Sequence, residues 1–211
     1  MRKVMVGVPV IYCDECVRDC LATLNQFDHV FIVDNCATAG IKAMIEPYDK
    51  VVNPQNVYVN PAWNQIMYRF LHSEFDVLVI LNSDMVLRGD VADQIRAKDW
   101  DELLVVPLPN MVNDFVYGVG ANLSVTDGVP GTMIVLTRKM VEQVYPIPQD
   151  ILLWFGDNWI YDRLRKRGYT TTIYHGLQGK HGGSRSIVAL PEAHEIIEKD
   201  KLAWKHVKTN L

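Results

Sequence analysis

No stretch of this sequence offers the roughly 18–20 consecutive apolar residues that crossing a bilayer requires. Its opening, MRKVMVGVPV, runs into a strand pattern instead of the layout of a signal peptide, so a cytoplasmic chain is expected. An excess of charge of one sign is also missing: 21 Lys and Arg against 25 Asp and Glu give a net charge of −4. That excludes a surface built as a whole to attract nucleic acid. Cysteine is confined to Cys13, Cys16, Cys20 and Cys36. Their C-x2-C-x3-C spacing lacks the second C-x2-C knuckle of a zinc ribbon, and reduced thiols in and beside the core are expected. No repeat, low-complexity tract or linker divides the chain. What is present is a globular balance, 49% hydrophobic and 22% charged over 211 residues, enough for one core.

Apolar runs alternate with amphipathic stretches along the first half. Residues 3–10 (KVMVGVPV), 29–34 (HVFIVD), 50–52 and 76–81 (DVLVIL) read as strands, and 16–26, 39–46 and 63–72 as helices. That alternation is the pattern of a parallel sheet covered on both faces, hence a single Rossmann-like α/β domain. After residue 107 the pattern loosens into a stretch rich in Gly, Asn and Pro. A strand at 132–137 and a helix at 138–144 follow, then the aromatic segment LLWFGDNW and a helix ending at Arg167 and Gly168. The chain closes with a strand TTTIYH, a loop GLQGKHGGSRS and a helix over 191–206.

Open parallel sheets bind ligands at the C-terminal ends of their strands, which makes Tyr12, Asp34 and the run Asn82-Ser83-Asp84 the first candidates. In VLVILNSDMVL an acid ends a buried strand and more apolar sequence follows, so its carboxylate needs hydrogen bonds, a cation or a wet cleft. A divalent ion bridging diphosphate oxygens would use it; a strand-end turn is the equal alternative. Asp157 opens a helix, where an acid either caps and complements the dipole or acts as a base. Lys180, His181 and Arg185 lie on a Gly-rich loop that either closes over phosphates or simply connects elements. The basic run Arg163, Arg165, Lys166 and Arg167 sits in the last turns of its helix and is assigned to the dipole.

In order and spacing these segments resemble the inverting family 2 glycosyltransferases and their rhamnosyltransferase-like relatives, over about residues 3–187. VGVPVIY is similar to that family's strand ending in Pro-Val-Tyr, and FIVDNCA to its strand ending in Val-Asp-Asn-Gly. NVYVNPAWNQIM looks like its Asn-rich loop and helix, with Asn56 and Asn64 on the recurring asparagines and Tyr58 where glycine is expected. LNSDMVL resembles the metal motif, PGTMIVLTRK the Gly-x-x-hydrophobic segment with a following Arg, and GKHGGSRS the late histidine. GDNWIYDRLRKRGY is similar to the acidic helix start, with Gly156 and Trp159 in place of both flanking acids.

The resemblance implies a GT-A fold with a mostly parallel central sheet flanked by helices, residues 1–106 forming the nucleotide-sugar half and 107–211 the acceptor half. It implies Mn²⁺ or Mg²⁺ on Asp84 and His181, with His175 a rival ligand. A nucleotide diphosphate sugar would be held by Pro9, Tyr12, Asp34, Asn64, Asn82, Ser83, Lys180 and Arg185. Asp157 would be the base of an inverting hexosyl or deoxyhexosyl transfer, with Trp154, Phe155 and Trp159 as the floor for a soluble acceptor. That acceptor is a glycan, a protein, a metabolite or a nucleic-acid base. A sugar-nucleotide nucleotidyltransferase would carry a glycine-rich loop after the first strand, and VIYCDECVRD has no glycine. A non-catalytic nucleotide-sugar-binding module is the other alternative, because the acids flanking Asp157 are gone.

Overall fold

The computed structural model describes residues 1–98, 103–106, 123–125, 131–174, 177–182 and 189–209. Its first half alternates β1 (Val4–Val10), α1 (Asp14–Leu21), β2 (His29–Asp34), α2 (Ala39–Met44), β3 (Asp49–Val52), α3 (Val59–Leu71) and β4 (Val77–Leu81). There follow β5 (Met85–Arg88), α4 (Val91–Ala97), β6 (Leu103–Val106), β7 (Leu123–Val125), β8 (Met133–Thr137) and α5 (Arg138–Val144). The chain ends with α6 (Gly156–Arg165), β9 (Thr170–Tyr174), β10 (Gln178–His181) and α7 (Ala193–Thr209).

The main sheet runs β3-β2-β1-β4-β8-β6-β9-β7. It is parallel through β3, β2, β1 and β4, and β8 enters antiparallel between β4 and β6. The expected mostly parallel α/β sheet flanked by helices is therefore observed. Side-chain alternation in β1 sends Val4, Val6, Val8 and Val10 to one face, under α1, α2 and α4, and Met5 to the other. On that second face Trp63, Ile66, Met67 and Phe70 of α3 pack with Met140, Val141 and Val144 of α5 and with Ile160 and Leu164 of α6. Arg138 locks the far end of α3, donating to the carbonyls of Phe70 and Leu71 at the helix terminus and of Ser73 and Phe75 just beyond it.

Several details depart from the sequence reading. Helix α3 begins a turn earlier than residue 63, and the segment after Asp84 is not a featureless apolar run. Met85–Arg88 pairs antiparallel with Gln178–His181 as a separate two-stranded sheet. That pairing joins segments far apart in sequence, so no local pattern announces it. The cysteines also differ from expectation: Cys13 and Cys16 form a disulfide, and only Cys20 and Cys36 are free. Cys13 adopts a left-handed backbone (φ 67, ψ 73) as the N-cap of α1, and the two Cα atoms lie 5.3 Å apart, within bonding range.

Candidate functional site

The C-terminal ends of β1 and β2 meet the start of α3 in a web of amide groups. Asp34, 2% exposed, closes β2 and accepts a hydrogen bond from the backbone N–H of Ala37 at 2.7 Å, which sets the turn. Asn35 accepts from the N–H of Val57 at 2.8 Å and donates to Asn56 Oδ1 at 2.8 Å. Asn56 in turn accepts from the N–H of Tyr58 at 2.8 Å. Tyr58 holds φ 67 and ψ −178, a conformation favoured only by glycine, so the backbone keeps the glycine-type shape that the family resemblance leads one to expect there. Pro9 is half-buried near the end of β1. Tyr12, also half-buried, lies just beyond and packs against a small cluster of Leu153, Leu190, Ala193 and Ile196. Asn64 is used elsewhere: its amide bonds both the N–H and the carbonyl of Ile147 at 2.8 and 2.9 Å, pinning the turn after α5.

At the end of β4 the chain turns through Asn82, Ser83 and Asp84 into β5. The Asn82 N–H donates to the Thr132 carbonyl at 2.9 Å, tying this turn to the start of β8. Asp84 is 7% exposed and His181 6%, and Nε2 of His181 lies 3.1 Å from Oδ1 of Asp84. The distance is short enough for a hydrogen bond but the alignment is not that of one, and neither ring nitrogen of His181 has a hydrogen-bond partner among the described residues. Register explains the meeting: His181 pairs with Met85, and the Gly182 N–H donates to the Asp84 carbonyl at 2.8 Å. A side chain at Gly182 would come within 3.1 Å of Asp84 Cβ.

A buried imidazole without a proton partner beside a buried carboxylate suits a shared divalent cation better than a resting ion pair. No group of three or more His, Cys, Asp or Glu side chains that could hold a metal occurs among the described residues. Two protein ligands are nonetheless enough for an ion that also takes phosphate oxygens and water. Lys180 is exposed and next to buried His181 on the strand, so it points to the opposite face of the ribbon. Arg185 and His175 lie outside the described residues.

Asp157 sits in the first turn of α6. Its Oδ1 accepts from the N–H of Asn158 at 2.8 Å, an ordinary helix-start bond, but Oδ2 accepts from the N–H of Gly131 at 3.0 Å, across the fold. Gly131 precedes Thr132, whose carbonyl holds Asn82. Asp157 and the Asp84 turn are thus linked through two neighbouring residues. Burial raises the Asp157 carboxyl above its usual range, with the backbone donors of Asn158 and Gly131 pulling the other way. Close approach shapes this corner: a Cβ on Gly131 would fall 2.7 Å from Asp157 Cβ, and one on Gly156 would fall 2.0 Å from Asn60 Oδ1.

The three aromatic candidates divide. Trp154, three residues before Asp157 in the chain, is 41% exposed. Phe155 is half-buried and stacks on Trp204 with ring centroids 5.5 Å apart. Trp159, expected at the acceptor floor, is instead a core residue. Its indole N–H donates to the Val144 carbonyl at 2.7 Å, and the Arg163 guanidinium covers its ring at 4.8 Å. Asn60 was not anticipated: its Nδ2 donates to the carbonyls of Ile151 and Trp154 at 3.1 and 2.8 Å, holding the segment before α6. Asp200 was missed as well, although a carboxylate four residues from both Ile196 and Trp204 falls on the apolar stripe of its helix, a readable signal.

No known family model matches the sequence, and no curated protein matches it. The fold does have solved counterparts. GalNAc-T7 with UDP, GalNAc and Mn2+ superposes with a TM-score of 0.66 at 9% identity, covering 87% of this chain and 44% of that one. S. aureus TarS 1-349 in complex with UDP gives 0.63 at 14%, covering 95% and 64%. The mannosyltransferase PcManGT from Pyrobaculum calidifontis in complex with GDP-Man and Mn2+ gives 0.57 at 14%, covering 82% and 57%. The chain therefore has the GT-A fold of these glycosyltransferases and spans less than two thirds of the length of each.

Proposed function

We propose that this chain is a metal-dependent glycosyltransferase of the inverting, family 2-like kind, moving a hexosyl or deoxyhexosyl group from a nucleotide diphosphate sugar to a soluble acceptor. The observation that supports this most is the buried Asp84–His181 pair with its unpartnered imidazole, at the strand end where a GT-A fold presents a donor diphosphate. Asp84 and His181 would hold the ion, and one nitrogen among oxygen ligands favours Mn²⁺ over Mg²⁺. The ion supplies Lewis-acid neutralisation of the leaving diphosphate. Asp34 accepts from a base N–H or ribose hydroxyl, Tyr12 and Pro9 flank the base, and Asn82 and Ser83 face the phosphates. Residues 1–106 serve as the donor half and 107–211 as the acceptor half.

Asp157 carries the proton chemistry. The acceptor oxygen bonds to the anomeric carbon as the bond from that carbon to the diphosphate oxygen breaks on the opposite face, and the acceptor proton passes to the Asp157 carboxylate. A raised pKa suits it to that task, because a stronger base takes the proton more readily. Trp154 offers an exposed ring as a floor for an acceptor sugar or base. Both acids that would flank Asp157 in the family are replaced, by Gly156 and Trp159, so acceptor recognition relies on other groups.

The test is a thermal-shift and donor-hydrolysis screen of UDP-glucose, GDP-mannose and TDP-glucose with and without Mn²⁺, on the wild type and Asp84→Ala. A ligand at about 100 times its dissociation constant stabilises a fold by about 2.7 kcal/mol. For a chain of this size that corresponds to a rise in Tm of about 5–10 °C. One nucleotide type should give that rise only with Mn²⁺ and lose it in Asp84→Ala. Equal stabilisation in the variant would remove the metal site. Stabilisation without any hydrolysis would favour a nucleotide-sugar-binding module.

A further inference from the structure

We propose that Asp200, on the C-terminal helix α7, is a positioning residue that clamps the segment carrying Trp154, Phe155 and Asp157 into the site. The inference rests on the transferase reading above and adds to it the device that fixes the acceptor side. Asp200 is fully buried, 0% exposed. Its two carboxylate oxygens receive three successive backbone N–H groups: Leu152 at 2.9 Å, Leu153 at 2.7 Å and Trp154 at 2.7 Å. Consecutive N–H groups converging on one anion form a backbone nest, and charge-assisted bonds of this length are the stronger class. One turn on, Trp204 stacks on Phe155 with the rings 4° from parallel.

The opposite side of the same segment is held from α3. Asn60 takes the carbonyls of Ile151 and Trp154 through its side chain, and its N–H donates to the Leu152 carbonyl at 2.9 Å. N–H groups face α7 and carbonyls face α3, so four residues without regular structure are gripped from both sides. Phe155 follows, then Gly156, which has no room for a side chain against Asn60, and Asp157 comes next. The carboxylate that carries the proton is therefore three residues beyond the clamped Trp154. Its partner, the Gly131 N–H, comes from the segment just before β8 and does not depend on α7. Removing Asp200 frees Asp157 from one side only.

An amide at Asp200 keeps the shape of the carboxylate but turns an NH2 toward N–H donors, which loses both the charge and part of the nest. The test uses Asp200→Asn in the full chain, with hydrogen exchange read at the amides of 152–154 and donor hydrolysis measured on whichever of UDP-glucose, GDP-mannose or TDP-glucose the wild type turns over. We expect faster exchange confined to those amides, and a kcat lower by about 10- to 100-fold, the loss that misplacement of a reacting group by about 1 Å brings. The donor KM should stay within about twofold, since the donor contacts lie on β1, β2 and the Asp84 turn. A global loss of stability would raise exchange throughout and would not split kcat from KM. Trp204→Leu, which keeps a core apolar group but removes the stack, should show the same split more weakly and serves if Asp200→Asn does not fold. Unchanged exchange at 152–154 would overturn the clamp, and faster exchange with unchanged kcat would overturn its role in positioning Asp157. A wild type that hydrolyses no donor would instead defeat the transferase reading, and exchange would still decide whether Asp200 holds the segment.

Discussion

Gly131→Ala should damage the site far more than it damages the fold. The added Cβ would lie 2.7 Å from Asp157 Cβ, 3.0 Å from the Trp63 ring and 3.3 Å from Ile134 Cδ1. Unbonded carbons rest at about 3.5–4.0 Å, so a gap of about 1 Å has to open. Trp63 is anchored in the core and Ile134 belongs to β8, which leaves the first turn of α6 as the part that gives. Asp157 moves with it, because the clash is with its Cβ and no rotation of the carboxylate relieves it. Overpacking of this kind costs about 1–3 kcal/mol, or about 2–12 °C in Tm for a chain of this length. Donor hydrolysis should fall about 100-fold if Asp157 is the base, by the loss expected from a displacement of about 1 Å. Gly168→Ala is the matched control. Gly168 has φ +87 and no atom within 4 Å of an added Cβ, and it lies past the far end of α6. It should lose about 1–2 kcal/mol through backbone strain alone and keep its turnover. Wild-type turnover in Gly131→Ala, or a loss no greater than that of Gly168→Ala, would refute the reasoning that the placement of Asp157 governs the reaction.

Two further outcomes follow from titration and thiol chemistry. Burial raises the Asp157 carboxyl, so turnover should fall on acidification at a pH above that of an ordinary carboxylate, read from kcat against pH. The same shift has a stability sign: the protonated form is favoured in the fold, and that contribution is lost as pH rises through the raised pKa. The Tm difference between Asp157→Asn and wild type should therefore move in the variant's favour with rising pH, and a constant difference would argue against a raised value. Thiol titration of the denatured, unreduced chain should find two groups and the reduced chain four. In the native chain exposed Cys36 should react while Cys20, buried and pushed well up by desolvation and then by Asp84, should not; four thiols before reduction would remove the disulfide.

How much was legible depended on whether a feature is local. The strands HVFIVD and VLVIL are continuous apolar runs because helices cover both faces of the sheet, and such runs announce themselves. Asp84 stood out for the same reason, as a carboxylate set between apolar residues. Its partner His181 needed more, since β10 reaches β5 only by pairing across most of the second half of the chain. Asn64 and Asn60 show the limit well. Both lie on α3, one turn apart, and nothing in VNPAWNQ tells which amide faces the α6 corner and which the turn after α5. Trp159 read as a ligand-facing aromatic because it neighbours Asp157 in sequence. Two residues along a helix turn a side chain through slightly more than half a circle, and it faces the core. The Cys13–Cys16 bond was invisible because it depends on a left-handed backbone at Cys13, which composition does not favour.

Left-handed backbone recurs around the rim of the site. The non-glycine residues with positive φ among the described residues are Cys13, Cys36, Tyr58 and Phe155. They follow β1, follow β2, cap α3 and cap α6, so they gather where strand ends and helix starts meet. Conformations of this kind cost about 1–3 kcal/mol each and persist only where the surroundings over-determine them. Three of the four have identifiable restraints: the disulfide at Cys13, the Asn35 and Asn56 bonds at Tyr58, and the Trp204 stack beside the Asn60 bonds at Phe155. The fourth, exposed Cys36, lies inside the turn that the Asp34–Ala37 bond closes. Strain held by side chains rather than by sheet ladders makes the rim stiff but brittle. Asn35 secures backbone groups of both Val57 and Tyr58, so losing its amide would loosen the loop that enters α3 without unpairing a single strand, while the Asp34–Ala37 bond keeps its own turn.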